Sequence, residues 1–331
     1  MAVTDTLRPR TAVVTGGSRG IGLEVVRGLA ASGVRVLVVS RDAQLGANAL
    51  GSIRTQNPIA DVTHWPTDLS LMTEVRRVAA EITAREPVLD LLVLNAAIVT
   101  AGRAVTAEGF ECQFAVNHLS QYLLTHELLG TLVRAPGARI VVTASQVEQG
   151  ARMDFADLMG AASYDSSAAY GQSKLANILF TFELADRLRE TAVTVNCLHP
   201  GVVRTNLLNT LQSVKRRAGP PLSAWTETVA AGRRLIGRVL REVGLRPVVP
   251  DWAMTPQQGA ELVLHVATSP ALGDVTGQYY KDGHPALSSH QSRDLALRRQ
   301  LWEVSARLVG VSPDWPHRSD AGDEDPPQVR G

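Results

Sequence analysis

Short, nearly continuous apolar runs alternate with amphipathic stretches along most of this chain. Residues 11–15 (TAVVT) form a β-branched run; the Gly-rich GGSRGIG follows at once, then a helical pattern through Leu29 that Gly33 ends. Further strands are predicted at 34–40 (VRVLVVS), 62–65, 89–95 (LDLLVLN) and 138–145 (ARIVVTAS), with a sixth inside AVTVNCLHPG at 192–201. Helical spacing of apolar residues fills 71–85, 110–133 and 168–188 between them. Strands without inside/outside alternation are those of a parallel sheet covered on both faces. Alternation of such strands with helices predicts an α/β fold, a Rossmann-type doubly wound parallel sheet with right-handed crossovers.

The pattern changes after Gly201. Residues 202–251 carry scattered apolar positions, AGPP at 218–221 and many arginines, and read as inserted helices rather than another sheet unit. A clear helix returns at 255–268 with Pro256 in its first turn, followed by a last strand at 277–283 and a terminal helix at 292–309. No linker separates a second domain. Residues 1–316 are therefore expected to be one domain with a lid insertion at 207–251, and the polar, Pro-bearing 317–331 to be a disordered tail.

Composition narrows the classes. The 331 residues are 45% hydrophobic and 20% charged with a net charge of +1, ordinary for a globular protein and without a global pull toward nucleic acid or anionic lipid. Two cysteines, Cys112 and Cys197, make neither a metal-ligand spacing nor a disulfide framework, which suits a reducing cytoplasm. The first ten residues lack the apolar core of a secretory signal, and no apolar run is long enough to span a membrane.

Three constellations carry chemistry. The first is TGGSRGIG at 15–22, where Gly16, Gly20 and Gly22 lie between a strand and a helix. Glycines there allow a tight turn and close approach of backbone to a pyrophosphate resting on the helix N-terminus. The second is the end of the second strand. An acid there would bind ribose hydroxyls, but Ser40 and Arg41 occupy the place, with Asp42 one step on. Arg41, with Arg19 from the Gly-rich turn, suits a 2′-phosphate and hence NADP(H); alternatively Ser40 or Asp42 caps the next helix. Asp68 offers an acceptor to an adenine amino group, or an N-cap shared with Ser70, and Asn95 ends the fourth strand beside the expected groove. The third is Tyr170 and Lys174, four residues apart and so on one side of a helix whose apolar positions are Leu175, Ile178, Leu179, Phe182 and Leu188. An ammonium beside a phenol favours the phenolate and brings its proton exchange toward neutral pH.

TGGSRGIG, LNAA, RIVVTAS, AYGQSKLAN and HPG resemble, in order and spacing, the motifs of the short-chain dehydrogenase/reductase family over about residues 11–308. VNHLSQYLLT, YGQSKLANILF and NCLHPGVVRT are most similar to its retinol-dehydrogenase-like branch, which includes bacterial ketoreductases of secondary metabolism. The resemblance implies that Tyr170 is the acid/base and Lys174 its partner on the nicotinamide ribose, that Ser145 polarises a substrate carbonyl, and that Asn117 completes a proton relay through water to Lys174. It implies cofactor contacts from Gly16, Ser18, Arg19, Gly20, Ile21, Gly22, Arg41, Asp68, Leu69, Asn95, Ala96, Tyr170, Lys174, Pro200, Gly201, Val203 and Thr205. It implies no metal.

Two departures stand out. The family's Asn-Asn-Ala-Gly reads Leu94, Asn95, Ala96, Ala97, which adds a methyl where glycine would allow positive φ. The insertion carries Trp225 and arginine clusters, read as the solvated face of a lid helix or as a membrane-surface helix. A pocket of Val147, Tyr164, Leu207 and Trp225 points to a bulky apolar ketone or aldehyde, reduced with NADPH. The rivals are a cofactor-bound sensor or scaffold without turnover, and a same-fold epimerase or dehydratase. Pairing of two copies through the 110–133 and 168–188 helices, as in many relatives, is open.

Overall fold

The computed structural model describes residues 10–205, 207–208, 210–211 and 253–316. Eight strands form one sheet in the order β3-β2-β1-β4-β5-β6-β7-β8. They are β1 (Thr11–Thr15), β2 (Arg35–Ser40), β3 (Val62–Pro66), β4 (Leu91–Leu94), β5 (Arg139–Thr143), β6 (Thr194–His199), β7 (Tyr279–Lys281) and β8 (His284–Pro285). All pairings from β3 to β7 are parallel, and β8 folds back antiparallel on β7. The expected last strand is thus a hairpin: Asp282 and Gly283 take φ of 52° and 79°, the two left-handed residues of a tight two-residue turn.

Helices cover both faces. On one side α1 (Gly20–Ala31), α2 (Ala43–Gln56) and α7 (Pro256–Thr268) pack on Val14, Val36, Val38 and Val93. On the other, α3 (Met72–Arg85), α5 (Ser120–Val133), α6 (Ser166–Arg187) and α8 (Leu295–Val309) pack on Val13, Leu37, Leu92 and Ile140. Alternate residues of each strand serve opposite cores, which is why the strands read as unbroken apolar runs.

Three local features depart from the expected elements. The predicted 110–133 helix begins as α4 (Cys112–Phe114), widens into a π-turn at Ala115–Leu119 and only then continues as α5. The first turn of α3 is not capped by Asp68 or Ser70. Asp68 Oδ1 accepts from Ser70 N at 2.9 Å, and the helix is capped from a distance by Glu108, which accepts from Met72 N at 2.6 Å and Thr73 N at 3.1 Å. Glu108→Ala should cost about 1 kcal/mol of stability, measured by urea denaturation. Ala97 does not take positive φ; Asp282 is the one non-glycine residue that does among those described, so the methyl causes no backbone strain.

The outer face of α5 and α6 is closed by the chain itself. Trp302 on α8 stacks on Phe180 at 6.0 Å between centroids, and Trp315 Nε1 donates to Tyr122 Oη at 2.8 Å. Arg187 lies over the Trp302 ring at 4.4 Å. Of the expected 207–251 lid only Leu207, Leu208, Thr210 and Leu211 fall within the described residues; Trp225 and the 317–331 tail lie outside them.

Candidate active site

Functional side chains gather at the carboxyl ends of β1, β4, β5 and β6, around the point where strand order reverses between β1 and β4. Crevices of this kind are where open α/β sheets take ligands. The Gly-rich turn between β1 and α1 has Gly16 and Gly20 at φ of 69° and 57°. A Cβ on Gly22 would overlap the Gly16 carbonyl and the Asn95 amide, so the turn closes only with glycine there. Thr15 Oγ1 accepts from Asn95 N at 2.9 Å and Ala96 N at 3.0 Å, and Asn95 Nδ2 donates to the Thr15 carbonyl at 3.1 Å. This lattice locks the ends of β1 and β4 together beside the groove.

The start of α1 is chemically unlike the other helix starts. Arg19 at its N-cap supplies no side-chain acceptor. By contrast Asp42, Glu108, Asp165, Thr255 and Asp294 place oxygen atoms on the first turns of α2, α3, α6, α7 and α8. The first N–H groups of α1 thus face the Gly-rich turn without a side-chain partner, ready for an anion. Ser18 and Ile21 are half-buried in this turn, and Arg19 is exposed. Arg41 is also exposed and has no ion pair or hydrogen bond among the described residues. Asp42 does cap α2, accepting from Leu45 N at 2.9 Å. Capping therefore coexists with a free Arg41 rather than replacing it.

Asp68 is half-buried and Leu69 buried at the end of β3, and Ala96 is buried with its carbonyl accepting from Gln121 Nε2 at 3.1 Å. Across the groove, Pro200 and Gly201 follow β6, with Gly201 at φ of 83°. Val203 is buried and forms a β-bridge with Met254. The Thr205 methyl lies 3.4 Å from where a Gly20 Cβ would stand, so this loop reaches the Gly-rich turn. These expected cofactor positions follow the carboxyl ends of β1, β2, β3, β4 and β6.

Ser145 sits just past β5, where it starts a short 3-10 turn (Gln146–Gly150) and accepts from Val147 N at 3.5 Å. Ser145 stands beside the Tyr170 phenol and acts against the rise that burial gives it, and Lys174 Nζ lies 5.8 Å from the Tyr170 ring centre. Asp165 caps α6 by accepting from Ala168 N at 2.7 Å, which fixes where the helix begins and so which residues of its first turns face the groove. Lys174 Nζ donates to the Thr143 carbonyl at 2.8 Å. Asn117 is fully buried in the π-turn; its amide donates to the Ile98 carbonyl and Ser173 Oγ, both at 3.0 Å, and accepts from Ile98 N at 2.8 Å. Both donors of that amide are engaged, so the side chain has no N–H left to give a relay. A π-turn shifts the i→i+4 bonding there. Thr15, Ser173, Ile98 and Thr143 are supports that spacing alone did not reveal; Thr15, Ser173 and Thr143 lie within motifs read from the sequence, and Ile98 does not.

Burial acts on both members of the Tyr170–Lys174 pair. It holds the Lys174 amine down to about 7 and pushes the Tyr170 phenol up, with Ser145 opposing the rise. Burial thus disfavours both charged forms, the ammonium and the phenolate, and only a protonated Lys174 gives a phenolate Coulombic help.

Of the expected substrate contacts, Val147 and Leu207 are half-buried. Tyr164 uses its hydroxyl otherwise: it donates to Glu111 Oε1 at 2.9 Å and accepts from Gln113 Nε2 at 2.7 Å. That phenol anchors the β5–α6 loop on the start of α4, leaving only its ring for contact with a ligand.

A parallel sheet with a Gly-rich first turn and a Ser-Tyr-Lys cluster beyond β5 defines a dinucleotide-dependent oxidoreductase. The family model for short chain dehydrogenase matches residues 10–216. Retinol dehydrogenase 14 of Mus musculus is 35% identical over 314 residues, covering 91% of this chain and 86% of that protein. A crystal structure of an uncharacterized protein from Mycobacterium paratuberculosis aligns over 94% of this chain and 99% of that one, with 26% identity and a TM-score of 0.68. A variant of actinorhodin polyketide ketoreductase with NADPH aligns over 84% of this chain and 96% of that one, with 28% identity and a TM-score of 0.58. The chain belongs to the short-chain dehydrogenase/reductase family of NAD(P)-binding oxidoreductases and is retinol-dehydrogenase-like. Among the described residues no helix is long and apolar enough to cross a membrane.

Proposed function

We propose that this protein is an NADPH-dependent reductase of a bulky apolar ketone or aldehyde. The observation that carries the reading is the gathering of Ser145, just past β5, with the buried Tyr170 and Lys174 of α6, at the strand ends that border the Gly-rich turn. The residues fit a dinucleotide: backbone N–H groups of α1 would hold the pyrophosphate, Arg41 and Arg19 the 2′-phosphate, Lys174 the nicotinamide ribose, and Val203 and Thr205 the carboxamide. Bound there, the nicotinamide supplies hydride chemistry. Ser145 holds the substrate oxygen and Tyr170 delivers a proton to it; these donors, set before reaction, stabilise the developing alkoxide. Ribose hydroxyls against Lys174 would favour its ammonium, and a protonated Lys174 lowers the cost of the Tyr170 phenolate.

A bulky apolar substrate is supported by the name of the mouse relative, a retinol dehydrogenase, and by the half-buried Val147 and Leu207. The likeness to a polyketide ketoreductase supports a place among secondary-metabolite ketoreductases. Both cysteines are free, in keeping with the reducing cytoplasm we infer. The test is loss of nicotinamide absorbance at ~340 nm with NADPH and a panel of aromatic ketones and aldehydes. Product analysis then separates reduction from epimerisation or dehydration, and absence of turnover across the panel would favour a sensor.

For the cofactor, Arg41→Asp should weaken NADPH about 100-fold and NADH less than about threefold, read as dissociation constants from nicotinamide fluorescence. Equal losses would refute the 2′-phosphate assignment.

A further inference from the structure

One histidine outside every motif stands against the proposed 2′-phosphate position. His64 lies on β3 opposite Val38 of β2, on the sheet face that α2 covers. Its Nε2 is 2.9 Å from Ser40 Oγ and 3.2 Å from the Ser40 carbonyl. A carbonyl can only accept, so the contact to it is a hydrogen bond in the tautomer that carries its proton on Nε2, where that proton is shared between the two oxygens. In that tautomer Ser40 Oγ accepts from His64, and its own proton is left for a partner other than His64. Ser40 is buried and ends β2, next to the exposed Arg41. Room for the imidazole is built in. A Cβ on Gly46 of α2 would overlap the His64 ring, so the helix carries its one hydrogen-only side chain of that turn where the ring sits. Burial holds His64 below its ordinary range, which keeps it neutral at pH near 7, and Asp42 on the same side is engaged in capping α2.

We propose that His64 is a positioning residue of a 2′-phosphate subsite: it donates Nε2–H to Ser40 and so leaves the Ser40 hydroxyl proton for a phosphate oxygen beside Arg41. This rests on the NADPH reading above. The ligand it selects is an adenosine bearing a 2′-phosphate. Ser40 supplies a directed neutral donor and Arg41 the charge, and His64 prevents Ser40 from turning its proton inward to β3.

The test compares 2′,5′-ADP with 5′-AMP by titration calorimetry, and NADPH with NADH by fluorescence, in the full chain and in His64→Leu, His64→Gln, Ser40→Ala and Arg41→Asp. His64→Leu and Ser40→Ala should each weaken 2′,5′-ADP and NADPH about tenfold and leave 5′-AMP and NADH within about twofold. His64→Gln, whose amide can donate in place of Nε2–H, should restore most of the loss. A merely structural His64 would lower the melting temperature and weaken all four ligands alike, and that result overturns the proposal. So does an unchanged 2′,5′-ADP affinity in a folded His64→Leu. If Arg41→Asp discriminates between NADPH and NADH while His64 and Ser40 variants do not, this inference falls alone; if Arg41→Asp does not discriminate, the NADPH reading falls beneath it.

Discussion

Tyr170→Phe should lower kcat by about 10²–10⁴ while leaving the NADPH dissociation constant within about twofold. The phenol is the one acidic proton held against Ser145, and phenylalanine removes only that oxygen. The ring is almost wholly buried on α6, so the variant keeps its packing and should melt close to the parent temperature. Ser145→Ala should fall less far, because it loses a hydrogen bond to the developing oxyanion but keeps the proton donor. Steady-state kinetics with cofactor binding measured separately decide the matter. A Tyr170→Phe protein with parental kcat would show that the proton comes from elsewhere.

Lys174→Met should abolish turnover to a similar degree and change how stability depends on pH. Burial lowers the Lys174 amine from its ordinary 10.5 to about 7. Between those values the unfolded chain binds a proton that the folded, cofactor-free protein does not. Raising the pH across that window therefore stabilises the parent, by up to about 1.4 kcal/mol per unit, and below about 7 the penalty is full and constant. The methionine variant lacks this term, though it leaves the Thr143 carbonyl without its donor. The stability difference between variant and parent should thus favour the variant most at about pH 6 and shift toward the parent by about pH 9, read by urea denaturation. Parallel pH profiles would show that Lys174 stays charged in the empty fold.

Much of the fold was legible because its signals are local. The apolar run of β1, the glycines after it and the helical period of α1 lie within 21 contiguous residues, Thr11–Ala31. The hairpin at Asp282–Gly283 was not legible: residues 277–283 read as a single strand, because the Asp-Gly pair is flanked by too short an apolar run to mark two. The π-turn was not legible. It depends on Asn117 reaching Ile98 and Ser173, neither of which is near it in sequence. The same holds for the cap of α3, where the nearby Asp68 and Ser70 are plausible but the carboxylate that arrives is Glu108.

Ser145 entered only through the family resemblance; by itself, the sequence determined the alternation of strands and helices, the Gly-rich turn, and the placing of Tyr170 and Lys174 on one side of a helix. Each rests on side-chain period or on residue types set a few positions apart, and those act whatever the rest of the chain does. Tertiary structure decided what those groups are chemically. Only the packed fold removes water from Lys174 and Tyr170, so only it could show that burial pulls the amine and the phenol in opposite directions. It also decided that the outer face of α5 and α6 is covered by Trp302 and Trp315, and that His64 stands against Ser40. Desolvation and contacts between distant residues arise from the three-dimensional neighbourhood, which no local pattern encodes.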